Sequence, residues 1–135
     1  MQFYIGCSGW SYDAWLGHFY PVKLERNKLL EYYSSVFDFV EIDSSFYRAP
    51  NLFLTKRWAK VTTDNFRFTA KIPRSITHEK RLSVESERDL AYFFQVMQLL
   101  KSKLLALLMQ LPPSLTAKEG LKKLEALIHL FDLGF

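Results

Sequence analysis

The two acidic residues Glu41 and Asp43 are the first candidates for chemistry, because they lie two positions apart in residues 37–43, whose aromatic and β-branched composition predicts a strand. Alternate residues of a strand share a face, with backbones roughly 6–7 Å apart. Two such carboxylates can act as general acid and base, or can bind a hard metal ion. The alternative is structural, with one of them in a buried ion pair with Lys71 on an adjacent strand. Further metal ligands are not evident, so no metal is expected.

A second group of candidates is basic. Lys71, Arg74 and His78 follow one another at and after the end of a predicted third strand. Arginine offers a two-pronged donor to phosphate or carboxylate, and histidine exchanges a proton near neutral pH. The alternative is an ordinary solvated basic loop. Gln110, at the end of a predicted fourth strand, both donates and accepts hydrogen bonds and completes the predicted site.

Aromatic residues concentrate in the loops after the first two predicted strands. Trp10 and Tyr47 come directly after those strands and are predicted to shape a pocket, where they would stack on a sugar or base. The alternative is that they pack against their neighbours, which is the expectation for most aromatics of these loops: Tyr12, Trp15 and Phe46.

The elements that must position these residues alternate along the chain. Strand composition is found in residues 2–7, 37–43, 65–72 and 104–111, and helical periodicity follows in residues 24–37, 51–61, 90–100 and 121–131. Such alternation predicts parallel strands with right-handed crossovers. Polar residues at the carboxyl ends of the strands favour a closed barrel over an open doubly wound sheet, whose central strands are apolar on both faces.

Composition narrows the class of protein. The chain has 135 residues, 49% hydrophobic and 24% charged, which is typical of a single globular domain, and its 18 basic and 14 acidic residues permit an anionic ligand. No apolar run reaches the roughly 18 residues of a membrane span, and no secretory leader is evident, so a cytoplasmic protein is expected. There is no Gly-rich phosphate loop or nucleophile elbow, so no cofactor is expected.

Four segments, in order, resemble the YecE-like family, known as domain of unknown function 72. They are residues 5–12 (IGCSGWSY), 40–48 (VEIDSSFYR), 66–74 (FRFTAKIPR) with Thr77 and His78, and 110–114 (QLPPS). The resemblance implies a TIM-barrel-like fold in which these segments surround one mouth. It places the basic run from Lys71 to His78 among recurring motifs, which favours ligand contact. It implies no particular reaction.

The family resemblance also sets an expectation about length. A full barrel takes about 250 residues, so residues 1–135 are predicted to form one partial domain of four βα units, about half a barrel. Four strands would leave two unpaired edges and an exposed interior face. We therefore expect a second copy of the chain, a partner that supplies the missing half, or a longer gene product of which this is a fragment.

The function predicted from these residues is binding of a small phosphorylated or carboxylated compound at the carboxyl ends of the strands. Lys71, Arg74 and His78 would hold the anion, and Glu41, Asp43 or His78 would move protons. One alternative is a nucleic-acid-binding or nuclease-like barrel that uses the same basic loop on phosphates. Another is a non-catalytic remnant that assembles with a partner. The sequence leaves open whether the protein is an enzyme.

Overall fold

The computed structural model describes residues 1–131, and the last four residues of the predicted domain lie outside this part. Its strands are β1 (Gly6–Ser8), β2 (Phe39–Ile42), β3 (Arg67–Lys71) and β4 (Leu104–Leu108). Its helices are α1 (Leu29–Val36), α2 (Leu52–Val61), α3 (Glu87–Met97) and α4 (Ala117–Leu127). The strands form one parallel sheet in the order β1-β2-β3-β4. The predicted alternation of strands and helices is confirmed.

The strands are shorter than the sequence pattern predicts. β1 begins at Gly6 rather than residue 2, and β4 ends at Leu108 rather than residue 111. β2 ends at Ile42, because Asp43 has the helical dihedral angles φ −77° and ψ −27° and its amide donates to the carbonyl of Glu41 at 3.1 Å. This local turn replaces the next bond of the sheet.

The sheet has one covered face and one open face. Val40, Ile42, Phe68 and Ala70 are completely buried among side chains from the helices. The alternate residues of β2 and β3 are only partly buried, and we call their side of the sheet the open face. Right-handed crossovers between successive neighbouring strands place every connecting helix on the same side, which explains the asymmetry.

One buried hydroxyl fastens β1 to β2. The hydroxyl of Tyr33, on α1, accepts a hydrogen bond from the amide of Cys7 at 2.6 Å and donates to the carbonyl of Phe39 at 3.1 Å. Its ring is completely buried and lies near-parallel to that of Trp15. Burial raises the pKa of the Tyr33 hydroxyl well above its ordinary value, so the group stays protonated and can serve both strands.

We expect Tyr33→Phe to lower the free energy of unfolding by about 1–3 kcal/mol, since it leaves a peptide group of the strand pair without its partner. Urea denaturation followed by circular dichroism measures this. Tyr32→Phe is the matched control, because Tyr32 is next to it on α1, is only half-buried and has no hydroxyl hydrogen bond within residues 1–131. Equal stability of the two variants would contradict the role of the Tyr33 hydroxyl.

The pairing of β3 with β4 contains a β-bulge. Phe68 lies opposite Leu104, but the next residue, Thr69, lies opposite Ala106, so Leu105 is an extra residue on β4. Beyond the bulge, Lys71 lies opposite Leu108. Ala106 and Leu108 therefore share the open face with Thr69 and Lys71, because directly opposed residues of a sheet point to the same side.

Candidate functional site

A row of polar side chains crosses the open face near the carboxyl ends of the strands. Ser8 of β1 lies opposite Glu41 of β2, which in turn lies opposite Thr69 of β3. Lys71 follows two positions after Thr69 on the same face of β3. Since neighbouring parallel strands run in the same direction, the row collects polar groups from three strands at one edge of the sheet. Ser8 was not predicted as a site residue, because strand pairing, and not local sequence, brings it to Glu41.

Glu41 is the centre of this row. Its Oε1 lies 3.4 Å from the Nζ of Lys71 and accepts a hydrogen bond from the Ser8 hydroxyl at 3.1 Å. The side chains of Glu41 and Lys71 are 25% and 26% exposed, so water screens their interaction less than it screens a surface ion pair. The ion pair that the sequence left as an alternative is therefore present. It lies on the open face, where a ligand can still reach both groups.

A buried serine fixes the backbone beneath the pair. The hydroxyl of Ser45 lies 2.6 Å from the carbonyl of Ile42 and 2.7 Å from the carbonyl of Lys71. Ser45 is almost completely buried, and its single proton is shared between these acceptors at the ends of β2 and β3. The hydroxyl thereby sets the spacing of the two strands at the site. Sequence analysis missed Ser45, because nothing in its local pattern separates it from the exposed Ser44.

Asp43 lies one residue beyond β2, so the prediction that both carboxylates share a strand face is wrong; the turn that ends β2 is the reason. Its Oδ1 lies beside Gly9, 3.4 Å from where a Cβ on that glycine would stand. The Tyr12 hydroxyl is next to the same glycine and donates to the carbonyl of Ser8. Burial, and then the negative charge of Asp43, raises the pKa of Tyr12. Asp43, which follows β2, thus lies beside the loop that follows β1.

The predicted basic residues after β3 differ in their surroundings. Arg74 is exposed, and its Nε lies 3.9 Å from the Oε1 of Glu79, which is a loose contact. His78 is half-buried, with Nδ1 2.9 Å from the Thr77 hydroxyl. Its ring also meets the ring of Phe46 edge to face, with centroids 5.3 Å apart. His78 is therefore held from two sides, whereas Arg74 is exposed and its contact with Glu79 is loose.

The predicted aromatic residues and Gln110 are dispersed. Trp10 is partly buried and meets Trp58 edge to face at 5.4 Å, so it packs against the core. Tyr47 is 80% exposed and touches Phe46. Gln110 is exposed, two residues past the end of β4. Within residues 1–131, no hydrogen bond or ring contact joins these three residues to Glu41, Asp43, Lys71, Arg74 or His78.

Among residues 1–131 there is no cluster of three or more histidine, cysteine or acidic side chains placed to hold a metal ion. In the same residues, none of the helices has the length and apolar character needed to cross a membrane.

Comparison with known proteins identifies the family to which the sequence is similar. A family model described as "Protein of unknown function DUF72" matches residues 4–135. UPF0759 protein YunF of Bacillus subtilis is 33% identical over 122 residues, which cover 86% of this chain and 42% of YunF. UPF0759 protein YecE of Escherichia coli K12 is 33% identical over 129 residues, covering 96% of this chain and 43% of YecE. The chain thus spans less than half the length of these curated relatives.

Solved structures show the same relationship. A crystal structure of a DUF72 family protein from Thermotoga maritima superposes with a TM-score of 0.74 at 30% identity, covering 94% of this chain and 51% of the other. A DUF72 family protein from Enterococcus faecalis superposes with a TM-score of 0.71 at 25% identity, covering 94% and 46%. Similarity of sequence and similarity of fold therefore agree.

Proposed function

This chain belongs to the DUF72 family of proteins of unknown function, and from that premise we propose that it binds a small anionic ligand, phosphorylated or carboxylated, on the open face of the sheet. The observation that carries the proposal is the ion pair of Glu41 and Lys71. It is partly buried, accessible from the open face, and located at the carboxyl ends of parallel strands. Ligand sites of α/β folds lie at those ends.

The proposed setting of this site is about half of a TIM-barrel-like fold, with the open face as its interior. Two observations support it. The strands follow one another in sequential order with only one face buried, as in a barrel wall. The chain also covers 51% and 46% of its two solved relatives. We propose that residues 1–135 are one partial domain of this kind.

Lys71 is the proposed anion-binding group. An ammonium carries three donors, and within residues 1–131 its only charged partner is Glu41 at 3.4 Å. Donors therefore remain for a phosphate or carboxylate oxygen, and Arg74 on the same segment supplies a second, exposed cation. Glu41 holds Lys71 in place and is itself placed to exchange a proton with a ligand, assisted by the Ser8 hydroxyl.

Completion of the fold is the second part of the proposal. In the part of the chain that the structure describes, β1 and β4 each pair with one strand only. Leu105 and Leu108 of β4 are each 44% exposed, which is unusual for large apolar residues of a strand. We propose that a second copy of the chain, or a polypeptide that supplies the remaining βα units, covers this edge. The cytoplasmic location expected from the sequence stays a prediction.

The nucleic-acid alternative has less support. The net charge of +4 is modest for a polyanion-binding protein. Of the two aromatics predicted to stack on a ligand, Trp10 packs against the core and only Tyr47 is exposed. The remnant alternative predicts that no ligand binds the Glu41–Lys71 pair at all.

The test is titration of the ¹⁵N-labelled chain with inorganic phosphate at constant ionic strength, followed by the amide signals of residues 8, 41, 69–72 and 74–78. We expect saturable shifts confined to this set, because phosphate joins the Lys71 ammonium. Sodium chloride at matched ionic strength is the control, and light scattering on the same sample gives the assembly state. Absence of saturable shifts with both phosphate and citrate would refute the proposal.

The same experiment separates the nucleic-acid alternative. A single-stranded oligonucleotide is added in place of phosphate, and the titration is repeated at increasing salt. Binding that falls steeply with salt concentration indicates contacts with several backbone phosphates and would favour that alternative. The small-anion proposal predicts no such binding.

A further inference from the structure

The loop between β3 and α3 has an unusual backbone. Ser75–Glu79 form a π-helical turn, closed by a hydrogen bond from the amide of Lys80 to the carbonyl of Ser75 at 2.9 Å. Turns of this type are rare and are found frequently at functional sites. Arg81 and Leu82 follow with φ angles of 51° and 54°, in the left-handed region that disfavours residues other than glycine. Strain of this kind also concentrates at functional sites.

Several contacts hold the loop in this conformation. The Arg81 guanidinium donates to the hydroxyl of Ser114 at 2.7 Å and to its carbonyl at 3.0 Å. Lys123 donates to the carbonyl of Arg81 at 2.8 Å. Lys80 pairs with Asp89 at 2.8 Å. These contacts fasten the loop to α3 and to the segment that contains Ser114 and α4. They thereby fix the position of the π-helical turn, which precedes Lys80 in the chain.

The position of one proton on this turn follows from its hydrogen bonds. Thr77 is completely buried, and its hydroxyl lies 3.2 Å from the carbonyl of Pro73 and 2.9 Å from the Nδ1 of His78. A hydroxyl has one proton, and a carbonyl can only accept. If Thr77 donated to Nδ1, two oxygens would face each other at 3.2 Å without a proton between them. If Thr77 donates to Pro73 and Nδ1–H donates to Thr77, both contacts are favourable.

We propose that Thr77 is a positioning residue that holds His78 in the Nδ1–H tautomer, so that Nε2 carries the lone pair and accepts a proton from the ligand. The proposal rests on the proposed function, which it deepens by giving His78 a role distinct from that of Lys71. Within residues 1–131, Nε2 has no hydrogen-bond partner, and the edge-to-face contact with Phe46 limits rotation of the ring.

This tautomer gives Lys71 and His78 different roles and thereby restricts the class of ligand. A neutral Nε2 accepts a hydrogen bond, so it does not hold an anion; Lys71 does. A ligand in contact with both groups would carry an anionic group together with a hydroxyl or another acidic proton, as a phosphorylated alcohol or a hydroxy acid does. The proton moves from that hydroxyl to Nε2, which makes His78 an imidazolium and leaves the ligand oxygen with the electron pair.

The tautomer can be measured directly. Long-range ¹H–¹⁵N correlation spectra of the histidine-labelled 135-residue chain, recorded above neutral pH, distinguish protonated from unprotonated ring nitrogens, and His78→Gln assigns the signals. We expect the Nδ1–H form of His78 to predominate. Thr77→Val keeps the shape of the side chain and removes the hydroxyl. In this variant we expect the tautomer ratio to shift by about fivefold to tenfold towards Nε2–H, which corresponds to the free energy of one hydrogen bond.

Thr77→Ser retains the hydroxyl and should keep the wild-type tautomer, which separates the hydrogen bond from a change of packing. A predominant Nε2–H form in the wild-type chain would overturn the inference, whether or not Thr77→Val folds. The phosphate titration is independent of this result. If the Nδ1–H form is found and no anion binds, the proposed function fails while the positioning of His78 by Thr77 stands.

Discussion

Gly6→Ala is expected to lower the free energy of unfolding by about 3 kcal/mol or more, one of the largest effects of a single methyl group in this chain. A Cβ on Gly6 would stand 1.7 Å from the carbonyl oxygen of Phe39 and 3.0 Å from the Tyr33 hydroxyl. The first of these atoms belongs to the backbone of β2 and has no rotamer by which to move away. The variant must therefore separate β1 from β2, which Tyr33 otherwise fastens.

Urea denaturation followed by tryptophan fluorescence measures the effect, and Gly17→Ala is the matched control. Gly17 lies in an exposed turn at φ +80°, and the atom nearest to its added Cβ would be a methyl of Val22 at 3.4 Å. That control should lose only the roughly 1–2 kcal/mol of a left-handed non-glycine residue. Unfolding curves that coincide for the two variants would show that the approach of β1 to Phe39 is not what requires glycine.

The second large effect concerns ligand binding, where the two members of the central ion pair should act in opposite directions. Lys71→Met is expected to weaken phosphate binding by about tenfold or more, because it removes the proposed donor. Glu41→Gln is expected to strengthen binding by about threefold to tenfold, because it removes a negative charge that lies 3.4 Å from the ammonium. Partial exposure of both side chains keeps these effects below those of a fully buried pair.

Phosphate titrations of both variants, at the ionic strength used for the wild type, give the dissociation constants. Lys122→Met is the control for a general loss of positive charge, since Lys122 is exposed on α4, and it should bind as the wild type does. A change in the same direction for Lys71→Met and Glu41→Gln would indicate an indirect effect on structure. Unchanged binding in both would place the anion elsewhere.

The faces of β2 and β3 could be predicted from the sequence, because residue type itself alternates there. Arg67, Thr69 and Lys71 are separated by Phe68 and Ala70, and the structure places the two sets on opposite faces. Glu41 follows the same rule on β2, and its pairing with Lys71 was one of the alternatives that the sequence left open. Where polar and apolar residues alternate along a strand, the sequence alone predicts which side chains face the site.

Other features depend on distances between segments that are far apart in sequence. Ser8 meets Glu41, 33 residues away, and Ser45 meets the carbonyl of Lys71, 26 residues away. These contacts require the register of the strands, which composition does not specify. Asp43 was misplaced for a different reason: the end of β2 is decided by a turn at that residue, and the sequence carries no proline or glycine there to indicate it.

The bulge on β4 gives that strand a tolerance to changes in chain length. Leu105 has no residue opposite it, so a variant that lacks it would keep Ala106 opposite Thr69 and Leu108 opposite Lys71. Loss of Leu107 would instead move every later residue of this segment to the opposite face of the sheet. Met109 would then take the place of Gln110 at the edge of the open face. Because β4 consists almost entirely of leucine, its hydrophobicity would be nearly the same after either deletion. An alignment gap at Leu105 therefore leaves the register with β3 unchanged, whereas a gap two positions later changes which side chains share the open face with Lys71.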